Sequence, residues 1–156
     1  MQDFRRLDVW RKAHALALDV RRVSKGFPRS GYAALRSQLT RAAESVPSNI
    51  VEGCFAASQR EFARYLEISV KSAGELEYHL QLAYDYGVLR NRNWRSLTVS
   101  TVEVRRMLLG LRKKVLRPDA TPDSHTRNPQ LATRQSLVRS RGLLNPTDPG
   151  RAAPGQ

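Results

Sequence analysis

The feature that most constrains the fold is an apolar seam that runs without interruption from Phe62 to Gly87. Small or apolar residues recur along it at spacings of four and three: Phe62, Leu66, Ser69, Ala73, Leu76, Leu80, Ala83 and Gly87. This recurrence is the period of one face of an α-helix, so the segment is predicted to be a long amphipathic helix. Small residues fill its middle, at 69 and 72–74, which predicts that two helices pack most closely at that level.

Three other segments carry a similar seam. They run from about Asp8 to Lys25, from residues 30–32 to about Ala56, and from about Asn93 to Val115. Their seams are predicted at Val9, Ala13, Leu16, Val20, Val23 and Phe27; at Leu35, Leu39, Ala42, Val46 and Ile50; and at Leu97, Thr101, Val104, Leu108, Leu111 and Val115. Four such segments with short links and no strand pattern predict an all-α domain over residues 1–116, an up-down-up-down antiparallel four-helix bundle.

Several residues mark the ends of these helices. Ser58 and Glu61 form a capping box, in which a hydroxyl and a carboxylate satisfy free backbone amides at the start of the third helix. Gly26 is predicted to be the left-handed cap of the first helix, and Gly87 is placed to cap the third. Asn93 is predicted to cap the fourth helix at its N-terminus.

The second helix contains a proline. Pro47 removes a backbone donor and crowds the preceding turn, so it is predicted to kink or restart the helix. Asn49 and Glu52 are expected to form a polar cluster with a serine or arginine from another helix. That cluster could serve a function, but satisfaction of backbone groups freed at Pro47 is the favoured interpretation. Gly53 is predicted to let a neighbouring helix come close.

This proline segment also carries a resemblance to a known family. The run Ser45-Val46-Pro47-Ser48-Asn49-Ile50-Val51-Glu52-Gly53, then Glu61-Phe62, Tyr65-Leu66, Ser69, Ser72 and Glu75-Leu76-Glu77, resembles the four-helix-bundle proteins of bacterial 23S rRNA intervening sequences. The accessory proteins of diversity-generating retroelements are similar to the same family. The opening Leu7-Asp8-Val9-Trp10-Arg11-Lys12-Ala13 resembles the family's first helix, so the match covers roughly Phe4 to Leu116.

The resemblance implies a fold and an assembly more than an activity. It implies a four-helix bundle that assembles into a ring-like homo-oligomer, typically a pentamer, with basic surfaces. For the retroelement accessory proteins it implies binding to a reverse transcriptase and to nucleic acid. It implies structural roles for Ser45, Pro47, Asn49, Ile50, Glu52, Gly53, Glu61, Phe62 and Glu75.

The formal net charge of the chain is +13, of which six arginines and three aspartates place +3 on residues 117–156 and leave +10 on residues 1–116. Such a surplus favours polyanionic partners, because release of counterions from phosphates drives association. Three basic groups are candidates for sequence-independent binding of RNA or DNA: Arg21, Arg22, Lys25 and Arg29; Arg90, Arg92 and Arg95; and Arg105, Arg106, Arg112, Lys113 and Lys114. The first two groups are expected to merge at one pole of the bundle. The alternative for each group is an ordinary solvated face.

Chemistry of other kinds has little support in the sequence. The three histidines are isolated, and Glu75 and His79 are four residues apart, whereas a di-iron bundle needs two pairs with a spacing of three. No metal, cofactor or catalytic residue is therefore predicted, and the protein is not expected to be an enzyme. The single cysteine, Cys54, is interpreted as a small packed side chain and fits a cytoplasmic location. No signal peptide or membrane-spanning segment is predicted.

Two further regions complete the hypothesis. Tyr65, Tyr78, Tyr84, Tyr86 and Trp94 form a second apolar strip that is typical of an oligomer interface. Residues 117–156 hold six of the eight prolines and no aromatic residue, and are predicted to be a disordered basic tail with a candidate short helix at 131–143. The favoured function is a non-enzymatic oligomeric nucleic-acid binder that serves as an adaptor for a reverse transcriptase or for rRNA. The alternative is a protein-interaction module of a mobile element whose charge is not used to bind nucleic acid.

Overall fold

The structure is a computed structural model, and it describes residues 3–117. A short 3-10 turn, Phe4–Arg6, precedes four helices: α1 (Asp8–Ser24), α2 (Ala33–Cys54), α3 (Gln59–Asp85) and α4 (Asn91–Val115). Consecutive helices pack against each other, and α1 also packs against α4, so the four helices close into one bundle. No strand occurs over residues 3–117, and the predicted four-helix bundle is confirmed. The predicted tail, residues 117–156, lies outside the residues that the structure describes, except for Arg117.

Ion pairs between α3 and α4 show that these helices run in opposite directions. Arg112 lies 3.1 Å from Glu67, and Arg105 lies 3.1 Å from Glu77. The later residue of α4 therefore contacts the earlier residue of α3, as in an antiparallel pair of helices. Since each consecutive pair is joined by a short link, the up-down-up-down course follows.

The core is built from the predicted seams. On α3 every seam residue from Phe62 to Ala83 is buried, and only the terminal Gly87 is exposed. The α2 seam is buried in full, while Val23 of α1 and Leu111 and Val115 of α4 are half-buried and pack on the edge of the core. Complete burial of a leucine or isoleucine side chain stabilises the fold by about 2 kcal/mol. The seams therefore supply the main driving force for assembly of the bundle.

Two of the predicted helix ends are confirmed. The backbone N–H of Glu61 donates to the Ser58 hydroxyl at 3.1 Å, and the N–H of Ala57 donates to the Glu61 carboxylate at 2.9 Å. Gly87 closes α3 with a φ of 72°, and its N–H donates to the carbonyl of Tyr84 at 2.9 Å. Few residues other than glycine adopt this left-handed conformation at low cost.

Two other predicted ends are wrong. Gly26 does not adopt the left-handed conformation, because α1 ends in a tight turn in which the Gly26 N–H donates to the Val23 carbonyl at 3.1 Å. The left-handed residue of this link is Gly31, with a φ of 84°. Asn93 is not the cap of α4, which begins two residues earlier, with Arg90 in the extended N-cap position. The third link turns too tightly to leave Asn93 outside the helix.

Pro47 neither ends nor restarts α2, which continues for a further two turns to Cys54. Gly53 lies where α2 packs tightly against the first turns of α3. A Cβ atom there would lie 2.6 Å from Cδ2 of Phe62 and 3.0 Å from Cβ of Tyr65. The predicted role of Gly53 is therefore confirmed. A Cβ at Gly74, in the small-residue middle of α3, would meet nothing within 4 Å, so that glycine is not what brings the helices together.

Candidate nucleic-acid interface

The structure brings the first and third links of the chain to the same pole of the bundle. Tyr32 stands at the start of α2, and Tyr86 directly follows α3. Their ring centroids are 6.3 Å apart, with an angle of 50° between the ring planes. The basic residues of residues 25–32 and of residues 86–95 are therefore neighbours at this end.

Side-chain and core contacts fix the first link. Phe27 is buried in the core, and the guanidinium of Arg36 reaches back from α2 to donate to the carbonyl of Pro28 at 3.0 Å and to that of Phe27 at 3.4 Å. Arg36 is thus committed to holding the link in place. Arg29, which follows directly, is exposed to solvent on a fixed backbone.

The third link is fixed in a different way. The N–H groups of Val88 and Leu89 both donate to the carbonyl of Ala83, at 3.1 and 3.0 Å. Leu89 is buried in the core with 3% exposure, which anchors the turn immediately before Arg90. Since both links are anchored, the backbone that carries these cations is in place before any ligand binds.

Five cations at this pole form what we call the basic pole: Lys25, Arg29, Arg90, Arg92 and Arg95. All five are exposed, and none has a carboxylate within 4.0 Å among residues 3–117. Asp85 is the acidic residue closest to them in the chain, and its carboxylate accepts a hydrogen bond of 2.8 Å from Gln81. Within residues 3–117, therefore, none of the five charges is neutralised by a direct ion pair.

Four of the twelve predicted phosphate-binding residues form ion pairs within the bundle. Arg21 pairs with Glu44 at 3.0 Å and Arg22 with Asp19, while Arg105 and Arg112 pair with Glu77 and Glu67. Arg21, Arg105 and Arg112 thereby join neighbouring helices. The remaining predicted cations, Arg106, Lys113 and Lys114, are exposed on α4 away from the basic pole and have no carboxylate partner in the described region.

The α3–α4 ion pair also affects a titration. A hydrogen bond from Lys71, then the charges of Lys71 and Arg112, hold the pKa of Glu67 below its usual value. Lys71 lies 3.3 Å from the Glu67 carboxylate, on the next turn of the same helix. Protonation of Glu67 therefore weakens both its pair with Lys71 on the same helix and its pair with Arg112 on α4.

The polar cluster beside Pro47 is a structural feature of the α2–α3 contact. The Asn49 side-chain amide donates to the Ser45 carbonyl at 2.8 Å and to the Ser45 hydroxyl at 3.0 Å. The Ser45 hydroxyl in turn lies 2.9 Å from that of Ser72 on α3. A serine from another helix was expected here, and Ser72 is that serine. Glu52 was wrongly included, because its side chain is exposed and forms no hydrogen bond or ion pair within residues 3–117.

The side chains of this cluster do not donate to the carbonyl that Pro47 leaves without a donor. Pro47 leaves the Ala43 carbonyl without its usual donor, because the helical partner of a carbonyl lies four residues later. The side-chain bonds go instead to the carbonyls of Ser45 and Val46, the latter from the hydroxyl of Ser69 at 3.0 Å. The bonds from Ser45 to Ser72 and from Ser69 to Val46 both connect α2 with α3, so the cluster joins the two helices.

No group of three or more histidine, cysteine or acidic residues within the described region is arranged to hold a metal ion. Cys54 is buried, and burial, followed by the charge of Asp3, raises the pKa of its thiol. A thiol in this state is a poor nucleophile at neutral pH, which agrees with its interpretation as a packed side chain. No helix of residues 3–117 combines the length and the apolar character that a membrane crossing requires.

The predicted aromatic strip divides into two parts. Tyr84, Tyr86 and Trp94 lie at the pole, where Tyr84 stacks on Trp94 with ring centroids 4.6 Å apart and an angle of 19°. Tyr78 lies farther down α3 and is 61% exposed. Sequence reasoning missed Tyr32, because this residue is isolated in the sequence and meets Tyr86 only through the fold.

Comparison with known proteins identifies relatives by family and by fold. The sequence model of a family described as 23S rRNA-intervening sequence protein matches residues 5–110. One similar solved structure is a protein of unknown function from the S23 ribosomal protein family of Bacteroides thetaiotaomicron VPI-5482. It has a TM-score of 0.64 and 24% sequence identity, and the match covers 67% of this chain and 98% of that chain. At this identity the likeness supports the fold alone. No curated protein matches the chain.

Proposed function

We propose that this chain, which belongs to the 23S rRNA-intervening sequence protein family, is a cytoplasmic, non-enzymatic protein that binds nucleic acid through its basic pole. The observation that carries the proposal is the set of five exposed cations on two anchored links and the first turns of α4, with no carboxylate partner within residues 3–117. Arginine suits phosphate because its planar guanidinium can donate two parallel hydrogen bonds. Contacts of this type follow the backbone and are independent of sequence.

The proposal includes assembly and a partner. Tyr78 and Ile68 are exposed on α3 with 61% and 38% of their surface accessible, which suits a contact between copies of the chain. Together with the resemblance to retroelement accessory proteins, this supports a homo-oligomer, such as a pentamer, that acts as an adaptor for a reverse transcriptase or for rRNA. Each copy would add one basic pole, so the assembly would gain affinity through multivalency.

A specific observation also favours the alternative function. Four of the twelve predicted phosphate-binding residues are used in ion pairs within the bundle, so part of the excess charge is structural. A protein-interaction module would use the exposed apolar residues of α3 and would not need the basic pole. The two functions therefore differ in whether unpaired arginines or exposed apolar residues determine binding.

Charge reversal at the basic pole tests the proposal. A triple variant, Arg29→Glu, Arg90→Glu and Arg92→Glu, is compared with Arg106→Glu, Lys113→Glu and Lys114→Glu, which changes the net charge equally away from that pole. Binding to labelled RNA and DNA is measured across a salt series, together with the mass of the protein in solution. The pole variant is expected to lose binding, and the control to retain most of it. Absence of binding by the unchanged protein at low salt, or equal losses in both variants, would overturn the proposal.

A further inference from the structure

The basic pole carries aromatic rings among its arginines. Tyr86 is 55% exposed and Tyr84 is 36% exposed, although both belong to a well-anchored end of α3. Trp94, one turn into α4, stacks on Tyr84 and is half-buried. Arg90 and Arg92 lie shortly before Trp94 in the sequence, and Arg95 follows it directly. Planar apolar surfaces and unpaired cations therefore occupy the same end of the protein.

Packing alone does not account for the position of Tyr86. The core at this pole is closed by Leu89 and Phe27, which are both buried, while Tyr86 is more than half exposed and its ring lies beside that of Tyr32. The turn that carries Tyr86 is set by Gly87 and by hydrogen bonds to Ala83, so the ring is held outward by a fixed backbone. A large ring that remains outside the core on a fixed backbone can contact a ligand with little loss of conformational freedom.

A two-fold contact between copies of the chain does not suit these rings. It would bring five unpaired cations of each copy together, and the repulsion between like charges opposes such an interface. The rings at the pole suit a ligand that presents planar apolar faces beside negative charge.

The geometry points to single-stranded nucleic acid as that ligand, with unpaired bases stacked on Tyr86 and on the Tyr84–Trp94 pair while Arg90, Arg92 and Arg95 contact the phosphates. The inference rests on the proposed function and names its substrate class. Bases of a single strand expose their faces and stack on aromatic side chains, whatever their sequence. Bases inside a duplex are covered on both faces by their neighbours, so a duplex can use only the arginines. The pole should therefore prefer single strands to duplexes.

Substitution of Tyr86 in the full-length chain tests the inference. Affinity is measured by fluorescence anisotropy for a single-stranded RNA, the equivalent DNA, and the corresponding duplexes. Tyr86→Ala and Tyr86→Leu are expected to lower affinity for single strands about tenfold and to leave duplex affinity unchanged, because only the stacking surface is lost. Tyr86→Phe, which keeps the ring, should bind like the unchanged protein. Since Tyr86 is more than half exposed, these variants are expected to fold.

A spectroscopic measurement provides an independent test. In a Trp10→Phe background Trp94 is the remaining tryptophan, and single strands should quench its fluorescence while duplexes do not. Failure of the unchanged protein to bind either form would remove the proposed function. Binding of both forms with equal affinity, with Tyr86→Ala neutral or equally harmful to both and no selective quenching, would leave the proposed function intact and overturn the stacking site.

Discussion

The hydroxyl of Ser69 on α3 donates a hydrogen bond of 3.0 Å to the carbonyl of Val46 on α2, and both residues are fully buried. Val46 directly precedes Pro47, so the bond joins two helices at the level where α2 lacks a backbone donor. Ser69 occupies a seam position at which leucine or alanine would match the surrounding pattern. The serine is thus explained by a partner on another helix.

Loss of this bond should destabilise the bundle. Ser69→Ala removes a buried donor, and we expect the free energy of unfolding to fall by about 1 kcal/mol. Ser96→Ala, on the exposed side of α4, is the matched control, because it makes the same change without removing a buried bond. Urea denaturation of the three proteins checks the prediction. A Ser69→Ala protein as stable as the control would show that the bond contributes nothing.

Two glycines of neighbouring helices should respond to alanine with opposite signs. At Gly53 the new Cβ would lie 2.6 Å from Phe62, so Gly53→Ala forces the helices apart and should cost about 1–3 kcal/mol. At Gly74 a Cβ meets nothing within 4 Å, and Gly74→Ala should stabilise the protein by about 0.5–1 kcal/mol through improved helix propensity. Thermal and urea unfolding measure both changes. Destabilisation at Gly74 similar to that at Gly53 would contradict this prediction.

The fold was predictable because the residues that define it repeat. Burial of seam residues such as Leu39, Leu66 and Leu108 follows from their spacing, since only helices covered by other helices can hide one face. The predictions that Gly26 and Asn93 cap helices were wrong, because residues of these types are common in links and tertiary packing decides where a helix ends. Leu89, which carries no periodic signal, is buried just before α4 begins.

The candidate site was only partly predictable. Sequence shows how many arginines the chain has, but only the fold shows that Arg21 meets Glu44 while Arg29 and Arg92 meet no carboxylate of residues 3–117. These partners lie far apart in the chain, so no local pattern could distinguish a structural arginine from a free one. The pairing of Tyr32 with Tyr86 was inaccessible for the same reason.

Acid should weaken the ion pairs that Glu67 makes with Lys71 on its own helix and with Arg112 on α4. The pKa of this carboxyl is lowered from its ordinary value of 4.5, so its contribution to stability is present above pH 4.5 and is lost as the pH falls through the lowered pKa of the folded protein. Glu67→Gln removes the charge at every pH and should flatten the loss of stability below pH 4.5. Urea unfolding from neutral to acidic pH measures the slope. Glu52→Gln, an exposed carboxylate without a described partner, is the control that should retain it.

Cys54 should react slowly with thiol reagents while the protein is folded. The side chain is buried and burial raises the pKa of its thiol, so both access and the thiolate fraction are low. Alkylation by iodoacetamide at neutral pH should therefore be much slower than in urea, and should accelerate in the Gly53→Ala variant, whose substitution lies directly beside the cysteine. Mass spectrometry of the modified protein follows the rate. Equal rates in folded and unfolded protein would show that Cys54 is accessible.

The dependence of nucleic-acid binding on salt should separate free arginines from paired ones. For single strands the slope of log affinity against log salt is about −0.7 for each neutralised phosphate. Removal of one contact by Arg92→Gln should therefore reduce the magnitude of the slope by about 0.7. Arg21→Gln changes the net charge equally, but this guanidinium already faces Glu44 at 3.0 Å, so the slope should remain near that of the unchanged protein. If both variants reduced the slope equally, binding would depend on overall charge, and the basic pole would have no special role.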